Sequence, residues 1–269
     1  MRSEIRTCTV ALALTFAAAL SPVPANAQTA RPAAPALDVS YEPTSQPVVN
    51  AMLKLAKVGP DDFLIDLGCG DGRIPITAAR RYGTRGLGVD LDPQRIKEAR
   101  ASAEKHRVSD KVNFIEGDLF KTDIDKASVI ALFLYPELNL KLRPRLLQLT
   151  PGTRVVSHEH DMGDWRPDST NFSGKRALHF WVVPAQIGGD WQLVADGLVI
   201  DLKIEQQYQR VRGFAIVNGR QLPIRNGRIT GAQAVFDLRL DGSRLRRFTG
   251  LMSPAGSMEG GGWQAKRKS

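Results

Sequence analysis

The chain has 269 residues, 42% apolar and 24% charged, with a formal net charge of +9. A chain of this length can bury a substantial core, as one large domain or two smaller ones. Its two cysteines are Cys8 and Cys69, and only Cys69 lies beyond the first thirty residues, which excludes an internal disulfide framework there.

Residues 1–27 begin with Arg2 and Arg6, continue through the apolar stretch Thr9 to Leu20 and end on Ala25-Asn26-Ala27. A basic start, a short apolar run and a small-residue A-x-A site form the pattern of a secretory signal peptide, cleaved here after Ala27. About 12 apolar residues are too few to span ~30 Å of hydrocarbon as a helix. The expectation is an exported chain, periplasmic or secreted, with no transmembrane segment after cleavage and a net charge of 9 − 2 + 1 = +8. Residues 28–40 are rich in Ala and Pro without periodicity and read as a flexible lead.

From Pro47 the apolar residues Val49, Met52, Leu53 and Ala56 fall at helical spacing, predicting a short amphipathic helix that stops near Gly59-Pro60. The period then changes. Phe63 to Leu67 reads as a buried strand, Gly72 to Tyr82 as a helix and Gly86 to Val89 as a strand. Asp92-Pro93 has N-cap and first-turn chemistry for a helix through His106. Val112 to Ile115 and Val129 to Leu134 are further strands, the second apolar on both faces as a central parallel strand requires. Leu138 to Leu149 is helical in composition, and Pro144 is expected to split it. Thr153 to Ser157 is a fifth strand, and Ala177 to Ala185 an edge strand. Strands alternating with helices at this spacing predict an α/β fold, a doubly wound sheet over residues 41–186.

After Gly188-Gly189 the pattern is β alone. Alternating segments are separated by Asn218-Gly219, Asn226-Gly227 and Asp241-Gly242, dipeptides that favour tight hairpins. The expectation is a small antiparallel all-β domain, a meander or closed barrel over residues 187–265, with a basic tail at 266–269 and fraying beyond Trp263. From Gln186 onward there are 13 Lys plus Arg against 7 Asp plus Glu, an excess of +6 that is either a solvated face or a surface for an acidic partner, here one in the cell envelope.

The segment LIDLGCGDGR, residues 64–73, runs from a strand into glycines at alternate positions and then a helix. That arrangement places backbone N–H groups and a helix N-terminus at the carboxyl end of the first strand, where open α/β sheets bind ligands. Dinucleotide sites use G-x-G-x-x-G, whereas Gly68, Gly70 and Gly72 alternate and Asp66 ends the strand. A pyrophosphate beside Asp66 would be repelled, while a cationic group would be favoured. The second strand ends at Asp90, 22 residues after Gly68 and placed to accept from two ribose hydroxyls. The third ends in EGDLF, where Asp118 can accept from an adenine amino group.

On these residues, the chain from 41 to about 165 resembles a class I S-adenosylmethionine-dependent methyltransferase with its Rossmann-like sheet. The resemblance implies S-adenosyl-L-methionine as cofactor. It also implies that Asp66, Gly68 and Gly70 lie along its methionine and ribose part, Asp90 holds the ribose, and Asp118 with Leu119 flanks the adenine. Cys69 is read as packing. The stretch YEPTSQPVVNAML before the first strand resembles the substrate-side loop and helix of seven-β-strand protein-lysine methyltransferases. These include the family of the ATP synthase c-subunit lysine methyltransferase, which shares GDGRI at the glycine turn. By that likeness Tyr41 and Thr44 close over the methionine end; the alternative is an N-cap, with Thr44 or Ser45 opening the helix.

After the fourth strand the chain reads LYPEL, where enzymes acting on planar nitrogens carry an N-P-P-Y type tetrapeptide, so the amide-gripping Asn is missing. This counts against adenine, cytosine or glutamine acceptors and for a lysine amine. Methyl transfer is a displacement governed by alignment, and making a neutral lysine at pH 7 costs about 4.6 kcal/mol. Tyr135 and Glu137 are the expected catalytic residues, with His158 and His160 of SHEHDMGDW as further proton acceptors. An H-x-H metal site is the other reading of those histidines, and no metal is expected. Two classes remain: a methyltransferase acting on a protein lysine or a small envelope molecule, and a non-catalytic envelope module whose β-domain binds an acidic partner. No specific nucleic acid partner is expected.

Overall fold

The computed structural model describes residues 42–240 and 244–268; the leader, Tyr41 and the Asp241-Gly242 turn lie outside them. The first half contains α1 (Gln46–Leu55), β1 (Phe63–Leu67), α2 (Arg73–Tyr82), β2 (Arg85–Asp90), α3 (Pro93–Lys105) and β3 (Val112–Glu116). It continues with β4 (Val129–Leu132), α4 (Pro136–Leu146), β5 (Arg154–His158), β6 (Ser169–Ser173) and β7 (Arg176–Val182). The strands form one sheet in the order β3-β2-β1-β4-β5-β7-β6. The pairs among β1 to β5 are parallel, and β7 runs antiparallel to both β5 and β6. The winding reverses between β1 and β4, which opens a crevice at their carboxyl ends.

Side-chain alternation divides the core between the two faces of the sheet. Ile65, Leu67, Ile130 and Leu132 pack with Leu142 and Leu146 of α4, while Leu64, Val129 and Ala131 pack with Val49, Met52 and Leu53 of α1. β4 is therefore fully buried, which explains its unbroken apolar run. β6 has no such signature, because STNFS is a polar edge strand paired only with β7. Pro144 does not split α4. It falls in the last turn, where a missing N–H removes one hydrogen bond, and Leu147 N still reaches the Arg143 carbonyl at 3.0 Å.

The second half contains β8 (Gly189–Ala195), β9 (Leu198–Gln207), β10 (Arg210–Val217), β11 (Arg220–Pro223), β12 (Arg225–Thr230) and β13 (Gln233–Leu238). It ends with β14 (Arg246–Met252), β15 (Ser257–Gly260) and β16 (Trp263–Arg267). The ring β10-β12-β13-β14-β15-β16-β8-β9 closes through the β9–β10 pair into an eight-stranded barrel, with β11 attached outside it. Phe236 and Phe248 stack in its interior with ring centroids 5.2 Å apart, and Trp263 meets both edge-on.

Two expectations change here. The segment after Trp263 does not fray: Trp263 and Ala265 face inward, and β16 pairs with β15 and β8 to close the barrel, with Lys268 N donating to the Asp190 carbonyl at 2.8 Å. Asn226-Gly227 is not a hairpin but a bulge within β12. Asn226 takes φ 51° there and donates from Nδ2 to Asp237, while a Cβ at Gly227 would meet the Val211 carbonyl oxygen at 2.3 Å. Asn218-Gly219, by contrast, has φ of 48° and 75° and does join β10 to β11.

Trp165 joins the two halves, lying between Trp181 of β7 and Tyr208 of the β9–β10 turn. The Tyr208 hydroxyl donates to Asp164 at 2.9 Å, Gln209 Nε2 donates to the Arg166 carbonyl, and Ala185 N donates to the Gly231 carbonyl. An Arg228–Asp168 ion pair lies across the same interface. Among the described residues, no helix is long and apolar enough to cross a membrane.

Candidate active site

Asp66 and Leu67 end β1, and the turn from Gly68 to Gly72 feeds α2. Gly68, Gly70 and Gly72 have φ of 81°, 52° and 76°, the left-handed region that glycine enters without strain. A Cβ at Gly72 would meet the Phe114 ring at 2.6 Å. The glycine pattern predicts bare N–H groups at the turn, whereas in the structure they are bonded. Gly68 N and Cys69 N both donate to the Val89 carbonyl, at 2.8 and 2.9 Å, and Gly70 N donates to Asp90 Oδ2 at 2.8 Å. The turn is stapled to the end of β2, leaving those amides no role in cradling a phosphate.

Asp66 is 2% exposed, and its Oδ2 has no hydrogen-bond partner. Burial, followed by the nearby Asp90 and Asp71, pushes its carboxyl well above the usual range. It lines a cleft enclosing about 900 Å³, part of it open to solvent, at the carboxyl ends of β1, β2 and β4. The cleft wall holds five acids, Glu42, Asp66, Asp71, Asp90 and Asp92, against Arg73 and Arg95. Such a surface favours a cationic ligand over an anionic one.

Thr44, Asp66, Gly68, Asp90 and Leu119 line this cleft. Gly70 contributes its N–H to Asp90, whose Oδ1 also accepts from Asp92 N at 3.0 Å. Asp118 is not in the lining: its carboxylate accepts from Phe120 N at 2.8 Å and lies 3.5 Å from Lys121 Nζ. Tyr135 and Glu137, the expected catalytic residues, are outside the lining, and the side of the cleft after β4 is formed by Phe133, Leu134 and Leu138. β4 stops at Leu132 and α4 starts at Pro136, so Tyr135 becomes the N-cap, 46% exposed and stacked on His160, and Glu137 lies in the exposed first turn. Ser45 occupies the N-cap of α1 without a side-chain hydrogen bond, while Thr44 Oγ1 lies 3.2 Å from His158 Nδ1. Cys69 packs with Ile96, Ala99 and Phe114, and burial raises its thiol pKa, so it stays protonated.

The histidines do not face the same way. Glu159 between them takes φ 64°, which breaks strand alternation, so His158 turns inward against Phe133 and His160 outward against Tyr135. Among the described residues, no group of three or more His, Cys, Asp or Glu side chains is placed to hold a metal ion. Arg73 is the residue the sequence reading missed. It is bidentate to Asp71, at 2.8 and 2.6 Å, and its Nη1 donates to the Thr44 carbonyl at 2.7 Å, fastening residues 42–44 over the cleft. The Asp-x-Arg spacing at the end of the glycine turn was its only sequence signal.

A family model described as "ANTKMT methyltransferase domain" matches residues 66–169. The chain is 46% identical over 131 residues to a protein-lysine N-methyltransferase of Saccharolobus islandicus, covering 48% of this chain and 81% of that one. It belongs to the S-adenosylmethionine-dependent methyltransferases. To the mouse ATP synthase c-subunit lysine N-methyltransferase it is 32% identical over 147 residues, which span 54% of this chain and 58% of the mouse protein. The crystal structure of an RNA methyltransferase from Salinibacter ruber in complex with S-adenosyl-L-homocysteine aligns with a TM-score of 0.54 and 50% identity, over 54% of this chain and 96% of that one. The methyltransferase site fits this cofactor in its own geometry: the partnerless Asp66 oxygen suits a cationic amino group, and the amides withdrawn from the turn suit a ligand without phosphates. S-adenosylmethionine is the cofactor of the family.

Proposed function

We propose that this methyltransferase acts on a lysine amine of a protein. The observation that carries the reading is the cleft's excess of acids, five against Arg73 and Arg95, beside a wall of Phe133, Leu134 and Leu138. A phosphate-rich acceptor is repelled by such a surface, whereas a lysine brings a cationic head and an apolar stem. The 46% identity to a protein-lysine N-methyltransferase supports the same acceptor.

Bound S-adenosylmethionine supplies an electrophilic methyl group on a sulfonium sulfur. The chain's residues bind and align. Asp66 offers its unpaired oxygen to a cation, Asp90 anchors the glycine turn while facing the cleft, and Arg73 holds Thr44 in place. Phe133 and Leu138 give the acceptor an apolar approach that favours the neutral amine needed for displacement. Tyr135 and Glu137 stand at the exposed start of α4, outside the cleft lining.

Transfer of a labelled methyl group into fractionated extracts tests the acceptor. Label recovered as methyl-lysine in protein supports the proposal; label in RNA alone overturns it. Export is a separate proposal resting on Arg2, Arg6, the apolar run Thr9 to Leu20 and the Ala25-Asn26-Ala27 site. Cell fractionation with N-terminal sequencing checks it, and a cytoplasmic protein that keeps residues 1–27 overturns it.

A further inference from the structure

We infer that His158 is a positioning residue that fixes the Thr44 hydroxyl as a hydrogen-bond acceptor for the ammonium group of the cofactor. The inference rests on the methyltransferase reading of the cleft and adds to it a residue outside the cleft lining.

His158 ends β5 and is 3% exposed. Its ring lies against Phe133 with centroids 4.0 Å apart, and its Nδ1 is 3.2 Å from Thr44 Oγ1. Nε2 is buried without a hydrogen-bond partner, and its nearest acid, Glu159 Oε1, is 3.9 Å away. That carboxylate favours the tautomer with the proton on Nε2, which leaves Nδ1 as an acceptor. The Thr44 hydroxyl then donates to the imidazole. Its oxygen lone pairs are left for a donor in the cleft that Thr44 lines.

The donor must be cationic to gain from Asp66 in the same cleft, yet the amine that attacks the methyl group must be neutral. The cofactor's amino group, which takes no part in the displacement, is the ammonium that satisfies both conditions. Thr44 is held from two sides for this task, by His158 at its hydroxyl and by Arg73 at its carbonyl.

The charged and titratable groups around His158 are Glu159 beside it, Glu42 before α1, Arg176 of β7 and His160, while His179 of β7 bonds the Glu159 carbonyl from the strand position that pairs with Ser157. Burial is the largest influence and holds the imidazole below its usual pKa, so it is neutral at physiological pH. Once protonated in acid, both ring nitrogens donate. Nδ1 then donates to Thr44 Oγ1, the hydroxyl proton turns toward the cleft, and the acceptor becomes a donor.

The test is calorimetry of S-adenosyl-L-homocysteine, which keeps the amino group and cannot transfer a methyl, at pH 8 and pH 5. Thermal melts check that each variant is folded. Thr44→Val should bind about tenfold more weakly than wild type at pH 8, the scale of one hydrogen bond to a charged group. Any contribution of Asp66 is common to every variant, so the informative quantity is the difference between them. Wild type should lose about tenfold more affinity than Thr44→Val between pH 8 and pH 5. His158→Leu should match Thr44→Val, while His158→Gln, whose carbonyl accepts the same proton without titrating, should restore affinity at pH 8 and lack the extra loss in acid. Thr44→Val or His158→Leu behaving as wild type at both pH values overturns the inference alone. Wild type failing to bind at either pH overturns the cofactor reading and the inference together.

Discussion

At the scale of single residues, Asp66 is the buried acid of the cleft. A buried carboxyl with one oxygen unpartnered is unfavourable as an anion, so its pKa is raised in the cofactor-free fold. A raised pKa means that the folded state holds the proton more tightly than the unfolded chain. The resulting stability is fully present below the unfolded value and is lost as pH rises through the folded one. Asp66→Asn should therefore melt higher than wild type at pH 8 without cofactor, by a few degrees for each ~1 kcal/mol of relief, and the gap should close in acid. The same variant should bind S-adenosylmethionine ~10- to 100-fold more weakly, whereas Glu137→Ala, outside the cleft lining, should change affinity less than about twofold. Thermal melts and calorimetry read both effects. The reverse order of cofactor losses would mean that the cofactor binds elsewhere than in this cleft.

Asp66, Gly68, Asp90 and Leu119 were legible as cleft residues because the ends of parallel strands all lie on one edge of the sheet. Phe133, Leu138 and Arg73 were not, since what they face depends on where α4 begins and on how the chain before α1 lies over the glycine turn, and His158, named from the sequence as a proton acceptor, meets Thr44 outside the cleft lining. Tyr135 and Glu137 show the same limit: sequence position put them beside the fourth strand, and the first turn of α4 carried them outward.

At the scale of elements, α4 is tied to the loop after β5 by Asn139. Its Nδ2 donates within hydrogen-bond distance of Ser157 Oγ and the His160 and Asp161 carbonyls, in a fully buried position. Asn139→Ala leaves those acceptors short of a donor, and a loss of about 1–3 kcal/mol is expected in denaturant unfolding. The turn from β1 to α2 is constrained more tightly still. Gly72→Ala forces a methyl group against Phe114 in a left-handed backbone, and a cost of about 1–3 kcal/mol from strain, with further loss from overpacking, should appear in the same assay. A Gly72→Ala protein as stable as wild type would contradict the turn geometry.

At the scale of the whole molecule, the barrel and the α/β half meet through Trp165, Trp181 and Tyr208 and a band of polar contacts. Tyr208→Ala removes the barrel-side aromatic partner of Trp165 and the hydroxyl that donates to Asp164. It should lower the melting temperature, and where the halves uncouple, a second transition should appear in calorimetry. A scan superimposable on wild type would show that Tyr208 does not couple them.

The sequence by itself determined the class of each half, because buried parallel strands demand unbroken apolar runs and barrel strands demand alternation. It also determined the glycine turn and the acid that ends β1, since alternate glycines after a buried strand leave the backbone few other courses. Only the tertiary structure decided where the barrel closes, that Asn226-Gly227 is a bulge, and that His158 reaches Thr44 across 114 positions of chain. Those outcomes depend on which strands become neighbours and on which direction a residue points after a left-handed step. Neither property is carried by local periodicity.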